Sequence, residues 1–257
     1  MKKHSKPSRH PRQATIRIGT SGWSYAHWRR VFYPEDLPSV KWLRYYSRYF
    51  DTVEVNNTFY NLPAERALEK WCHDAPSGFV FAVKANRFIT HMKKLKDVDD
   101  SISVFMERVK VLKRCLGPVL FQIPSNLKLD INRLRAFLAA LPRRRRYVLE
   151  FRNASWLNDE VIDALSKRRV AFCIHDLMEE SYPHHVTAAF AYYRFHGHNV
   201  KYGGSYPKKV LKEHAKEMAS ILGSGKDVYA YFNNDAFGYA LKDAVTLRKI
   251  VSRLLTA

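Results

Sequence analysis

From residue 15 onward, short apolar runs alternate with longer segments whose apolar positions recur at helical spacing. Eight of the short runs, at 16–19, 52–56, 79–84, 119–123, 147–152, 171–175, 192–196 and 228–232, are rich in β-branched and aromatic residues and predict strands. Helical periodicity lies at 40–50, 64–73, 99–116, 130–141, 158–168, 207–222 and 238–255, and only the crossover 177–187 lacks it. Asp130 and Asn158 stand where helix N-caps belong. Strands that alternate with helices predict repeated βα units on a parallel sheet. Eight such units in 257 residues match the ~250 residues typical of a (β/α)8 barrel and favour it over an open doubly wound sheet. The expected fold is α/β, a single TIM-type (β/α)8 barrel over 15–257. It follows a basic tail at 1–14 that is too polar to bury an apolar face and is expected to be disordered.

Side chains alternate along a strand, so polar residues two apart share a face. Glu54 with Asn56, Glu150 with Arg152, and Arg194 with His196 form such pairs inside otherwise apolar runs. Each pair falls at the carboxyl end of its strand, where barrels of this kind assemble their active sites. Lys84, Gln122, Asp176, Asn233 and Asp235 hold the corresponding ends of other strands. Any one of these residues is explained by a chain returning to solvent. Alternating pairs within apolar runs are not, because buried charges are costly unless paired with one another or with a ligand, and a ligand site is the expected outcome. The turn GTSGWSYAHW at 19–28 adds backbone amides suited to an anion, together with Trp23 and Tyr25, which suit stacking on a base or sugar.

Charge sharpens the question of partners. The chain carries 44 Lys and Arg against 24 Asp and Glu, a formal net charge of +20, which attracts polyanions. Part of the excess is local: Lys2, Lys3, Lys6, Arg9 and Arg12 lie in the tail, and Arg143, Arg144, Arg145 and Arg146 form one run. That run precedes the fifth strand and is expected on the face opposite the strand ends, as a solvated turn or a polyanion patch. Cys72, Cys115 and Cys173 are odd in number and form no CxxC, so neither a disulfide nor structural zinc is expected. No apolar run approaches the ~18 residues of a membrane span, and no hydrophobic stretch follows the charged start. No membrane partner is expected, and a cytoplasmic location is.

Seven motifs combine: GTSGWSYAHW (19–28), FDTVEVNNTFY (50–60), FVFAVK (79–84), PVLFQIP (118–124), EFRNASW (150–156), YRFHG (193–197) and YAYFNND (229–235). In this order they resemble the YecE-like family, also called domain of unknown function seventy-two, over nearly the whole chain after the tail. The resemblance implies a (β/α)8 barrel. Matching the motifs residue by residue implies functional positions at Glu54, Asn56, Lys84, Gln122, Glu150, Arg152, Asp176, Arg194, His196, Asn233 and Asp235. The likeness of that barrel to metal-dependent endonuclease and sugar-isomerase barrels implies phosphodiester or nucleotide ligands, by analogy of fold.

The reading these features favour is an enzyme acting on a phosphorylated or nucleic-acid substrate. Glu54, Glu150, His196 and Asp176 are the catalytic candidates, with Glu150 and His196 for acid–base work. Trp23, Tyr25, Asn56, Lys84, Gln122, Arg152, Arg194, Asn233 and Asp235 are the substrate-binding candidates, the cations gripping anionic groups. A divalent metal, if used, is expected on Glu54, Glu150, Asp176 or His196, although the dense histidine set of a trinuclear zinc site is missing. Two alternatives stand beside this one. A non-catalytic nucleic-acid-binding protein would rely on the basic tail and surface. A glycoside hydrolase would use Glu54 and Glu150 at a separation of ~5 to 9.5 Å.

Overall fold

A computed structural model describes residues 13–178 and 182–256. Residues 1–12, most of the expected disordered tail, lie outside the described residues. Ala14 already packs against the core, and the backbone N–H and hydroxyl of Thr15 both donate to Asp227 Oδ1, at 2.8 and 3.0 Å.

All eight expected strands form: β1 (Ile16–Thr20), β2 (Thr52–Val55), β3 (Val80–Lys84), β4 (Leu116–Ile123), β5 (Tyr147–Phe151), β6 (Ala171–His175), β7 (Phe190–Phe195) and β8 (Asp227–Phe232). They pair in parallel in the order β1-β8-β7-β6-β5-β4-β3-β2. The helices are α1 (Trp42–Tyr46), α2 (Glu65–Asp74), α3 (Asp99–Val109), α4 (Ile131–Ala140), α5 (Asp159–Arg168), α6 (Lys208–Gly223) and α7 (Tyr239–Thr256). Two helices differ most from expectation. α1 is a short helix entered through a 3-10 turn at Ser39–Lys41, and α3 stops at Val109, beyond which the chain kinks at Lys113 with φ 49°. Asp130 and Asn158 cap α4 and α5, accepting from the backbone N–H of Arg133 and Val161.

Two apolar surfaces explain why the strands are hydrophobic on both faces. Val53, Phe81, Phe121, Leu149, Phe172 and Tyr193 join the core beneath the helices. Ala82, Leu120, Val148, Cys173, Tyr192 and Tyr231 fill the barrel. Two residues further along each strand the inward position turns polar, giving Lys84, Gln122, Glu150, His175, Arg194 and Asn233. The opposite end is plugged by Arg146, whose guanidinium meets Asp227 Oδ2 at 2.5 Å and the Tyr229 hydroxyl at 2.6 Å.

The barrel closes between β1 and β2 without a backbone ladder. A single bridge pairs Ser21 with Glu54. Below it the buried Tyr46 hydroxyl accepts from the Thr20 N–H at 3.0 Å and donates to the Thr52 carbonyl at 3.1 Å. At the bottom Arg17 holds the Asp51 carboxylate at 2.8 Å. The approach is so tight that a Cβ on Gly19 would lie 2.4 Å from the Thr52 carbonyl oxygen. Replacing Tyr46 with Phe leaves a buried N–H and a buried C=O unpaired, and is expected to cost roughly 1–3 kcal/mol in urea unfolding. A stability equal to wild type would show that the phenol is dispensable to closure.

The cysteines correct an expectation. Cys72 in α2 and Cys115, just before β4, form a disulfide with Cα atoms 5.9 Å apart, within the range a bridge spans. They lie 43 residues apart in sequence, and packing of α2 against the segment entering β4 creates a proximity that spacing does not encode. Cys173 remains a buried thiol. No helix among the described residues is long and apolar enough to cross a membrane.

Candidate active site

The carboxyl ends of the strands surround a cavity of about 800 Å³. Its lining takes Asn56 after β2, Lys84 from β3, Gln122 from β4, Arg152 after β5, Arg194 from β7 and Asn233 after β8. Loops add Tyr25, Phe59, Tyr60, Arg87, His91, Met92 and Tyr202. Strand alternation therefore delivers Asn56, Lys84, Gln122, Arg152, Arg194 and Asn233, six of the polar positions read from the sequence, to one place.

Beneath the cavity lies a network of buried charges built on Arg194, which is 1% exposed. Its Nε and Nη2 reach the Glu54 carboxylate at 3.0 and 2.8 Å, and its Nη1 reaches Glu150 Oε2 at 2.5 Å. Glu54 also accepts from the hydroxyls of Ser21 and Tyr192, at 2.7 and 2.6 Å. Glu150 accepts from Gln122 Nε2 at 2.9 Å and Arg152 Nε at 2.5 Å. Neither carboxylate lines the cavity. Burial alone would raise both carboxyls, but Arg194 and the hydrogen bonds hold Glu54 below its ordinary range, and Arg194 with Arg152 holds Glu150 well below it. Both are ionised at neutral pH.

Lys84 differs from these groups. Its Nζ sits 4.0 Å from the centroid of the Phe59 ring, and among the described residues it has no carboxylate partner. Burial, reinforced by the positive charges of Arg194 and Arg152 against the pull of Glu150 and Glu54, pushes its ammonium down to about 7. His91, on the π-helical turn Phe88–Met92, is pushed down to about 4 by burial and by Lys84.

His196 and Asp176 stand behind Arg152. The Asp176 carboxylate accepts from the His196 backbone N–H at 2.8 Å, faces His196 Nδ1 at 3.3 Å, and accepts from the Tyr206 hydroxyl. Burial pushes His196 down to about 4 despite Asp176, so its ring is neutral. With Nδ1–H assigned toward Asp176, Nε2 is left to face Arg152 Nη2 at 3.5 Å. Trp23 lies outside this cavity, edge-on to Trp71 with ring centroids 5.1 Å apart, in an adjoining groove of about 480 Å³ that shares Tyr25 and Asn56. Asp235 meets His27 at 3.3 Å, outside the lining.

Arg87, His91, Phe59, Tyr60 and Tyr202 were absent from the sequence-derived set. Phe59 and Tyr60 sit inside the motif FDTVEVNNTFY, and Arg87 and His91 follow β3 in a βα loop, which was the available signal. Tyr202 is held to Arg152 by a hydrogen bond of 3.2 Å that no pattern announces. The oxygens of Glu54 and Glu150 are occupied by arginine, glutamine and hydroxyl donors. Among the described residues no three His, Cys, Asp or Glu side chains gather as a ligand set. This donor set does not fit a divalent metal.

Residues 17–256 match the family model described as "Protein of unknown function DUF72". The chain belongs to this family. YunF of Bacillus subtilis is 29% identical over 262 residues, which cover 88% of this chain and 90% of that protein. YecE of Escherichia coli K12 is 30% identical over 139 residues, 54% of this chain and 48% of that protein. Among solved structures, a DUF72 family protein of Thermotoga maritima superposes with a TM-score of 0.84 at 28% identity, covering 93% of this chain and 99% of that one. A second, from Enterococcus faecalis, gives a TM-score of 0.80 at 18% identity, covering 93% and 96%, and is alike in fold. Family membership, first read from the seven motifs, thus spans the whole barrel.

Proposed function

We propose that this protein is an enzyme that acts on a phosphorylated substrate, a small phosphate ester or a nucleic-acid strand, in the cavity at the carboxyl end of the barrel. The observation that carries this reading is the lining, in which Lys84, Arg87, Arg152 and Arg194 appear with no carboxylate. Arg194 spends its charge on Glu54 and Glu150. Lys84 and Arg87 remain for a ligand, with one edge of Arg152, and oxyanions are the ligands such donors hold best.

The roles follow from what each group still has to offer. Glu54 and Glu150, both saturated, fix Arg194 and Arg152 in place and are positioning residues. Lys84 is the proton carrier, because a group near neutrality both takes and returns a proton. Its amine accepts the proton of an attacking water as the new P–O bond forms, and its ammonium returns that proton to the oxygen that leaves as the ester P–O bond breaks, while Arg87 and Arg152 hold the phosphate oxygens. Asp176 orients His196 against Arg152. The same facts weigh against glycoside cleavage, which needs one carboxyl protonated and both beside the substrate.

The test is a cleavage and binding assay on p-nitrophenyl phosphate, bis-p-nitrophenyl phosphate, and labelled single- and double-stranded RNA and DNA. Replacing Arg152 with Met removes a charge-assisted contact and is expected to weaken the favoured substrate roughly 10- to 100-fold. Removal of residues 1–12 is expected to leave turnover of small esters unchanged. Absence of both binding and cleavage across this set between pH 6 and 8 would overturn the reading.

A further inference from the structure

A second concavity, of about 590 Å³, lies at the opposite, amino-terminal end of the barrel, where α4 runs into β5 and α5 into β6. Its rim is cationic: Arg143, Arg144 and Arg145 come from the first connection, and Lys167, Arg168 and Arg169 from the end of α5 and the second. No carboxylate lines it. Two of the three acids of α5 are engaged, Asp163 by Lys167 at 2.6 Å and Glu160 by Arg135 at 3.0 Å, and Asp159 lies at the far, amino-terminal end of that helix. Arg146, last of the run, points inward to Asp227 and is not part of it.

The carboxyl ends of α4 and α5 bring partial negative charge here, which accounts for Lys167 and Arg168 in the last turn of α5. It does not account for three more arginines after a helix whose last turn has no basic residue. Nor does it account for Tyr147. That residue is 4% exposed, its ring packs against Phe121, and its hydroxyl is buried in the lining with no hydrogen-bond partner. A buried hydroxyl without a partner costs folding free energy and calls for an explanation. Burial, against the pull of Arg145, pushes the phenol up to about 12, so it stays a donor.

We propose that this concavity is a second anion site, in which a phosphate group sits among the Arg143–Arg145 and Arg168–Arg169 guanidinium groups and accepts the Tyr147 hydroxyl. Guanidinium donors gathered on one concave surface match phosphate oxygens, and its lining offers no exposed aromatic face to stack a base. The site reads phosphate, from a compact free polyphosphate or from a nucleic-acid strand.

Arginine labelling with phenylglyoxal, read peptide by peptide by mass spectrometry on the full chain, tests this directly. The probes are tripolyphosphate and a 12-nucleotide single-stranded RNA. Tripolyphosphate is expected to protect Arg143, Arg144, Arg145, Arg168 and Arg169 equally in wild type and in Lys84→Met, since that substitution alters only the cavity at the other end. The exposed double change Arg145→Ser with Arg169→Ser is expected to weaken tripolyphosphate at this site roughly tenfold. Tyr147→Phe, which keeps the packing, is expected to weaken it about fivefold. RNA that protects the same arginines and is displaced by tripolyphosphate identifies a nucleic-acid strand as the phosphate source. Protection by tripolyphosphate alone identifies a free polyphosphate. Protection confined to Arg87, Arg152 and Arg194, or a Tyr147→Phe protein that binds as wild type does, overturns the second site and leaves the proposed reaction untouched.

Discussion

Replacing Arg194 with methionine is expected to destabilise the barrel by roughly 3–5 kcal/mol, because removing one partner of a buried pair leaves uncompensated charge behind. For a chain of this size that lowers the melting temperature on the order of 10 °C. Glu54 suffers most, since Arg194 is its cationic partner and its remaining contacts are the hydroxyls of Ser21 and Tyr192. The sign of the pH dependence distinguishes this cause from lost packing. In the wild type Glu54 and Glu150 are held below their ordinary values. Their stabilisation is present above the unfolded carboxyl pKa and is lost as pH falls through the folded values. In Arg194→Met burial pushes Glu54 the other way, so the variant recovers part of its deficit between pH 7 and 5 as the carboxyl takes up a proton. Calorimetric melts at the two pH values measure this. A variant that melts with the wild type, or whose deficit grows on acidification, would show that the network does not carry the load assigned to it.

Replacing Lys84 with methionine is expected to reduce turnover of the phosphate substrate by 10²- to 10⁴-fold, the range usual for loss of a positioned proton carrier. In the wild type two quantities should move in opposite directions between pH 6 and 8. As the Lys84 ammonium, held near 7, loses its proton, affinity for the anion falls while the rate constant for the bound substrate rises. Lys84→Arg keeps the charge and cannot give up the proton, so it should bind the anion at every pH in this window with little turnover. Stability gives an independent reading. The folded pKa of Lys84 lies below the unfolded lysine value of ~10.4, so the unfolded chain holds more protons between the two and wild-type stability rises with pH across that window. The slope should disappear in Lys84→Met. Parallel changes in affinity and rate with pH, or equal turnover in Lys84→Arg and wild type, would remove Lys84 from the proton-transfer role.

Much of this architecture was legible because the strand repeat is two residues and cannot drift. Once Val53 and Val55 are assigned to the helix side, Glu54 and Asn56 have no other direction to take, and the same parity places Glu150, Arg152, Arg194 and His196. The arginine run, taken as one unit in the sequence, divides in the structure, where Arg146 shares the inward phase of Val148 and meets Asp227. What parity does not contain is partnership. Glu54 and Arg194 are 140 residues apart, and only closure of the barrel makes them neighbours. A carboxylate that looks like an acid–base group on one strand thereby becomes the anchor of an arginine from another. The disulfide between Cys72 and Cys115 escaped for the same reason. Arg87 and His91 escaped because they lie past the end of β3, where the pleat no longer dictates direction.

Seven of the eight strand boundaries are backbone ladders, and one, between β1 and β2, is a row of three side-chain clasps: Arg17 on Asp51, Tyr46 between Thr20 and Thr52, and Ser21 on Glu54. Few backbone hydrogen bonds have to break for that boundary to part, so it is where the wall is expected to yield first, as early amide exchange at Thr20 would show. The topmost clasp ends on the carboxylate that seats Arg194. Parting of the wall at that clasp is therefore expected to loosen the charge cluster as well, and an anion of the kind proposed for the cavity, by steadying the cluster, is expected to tighten the hoop.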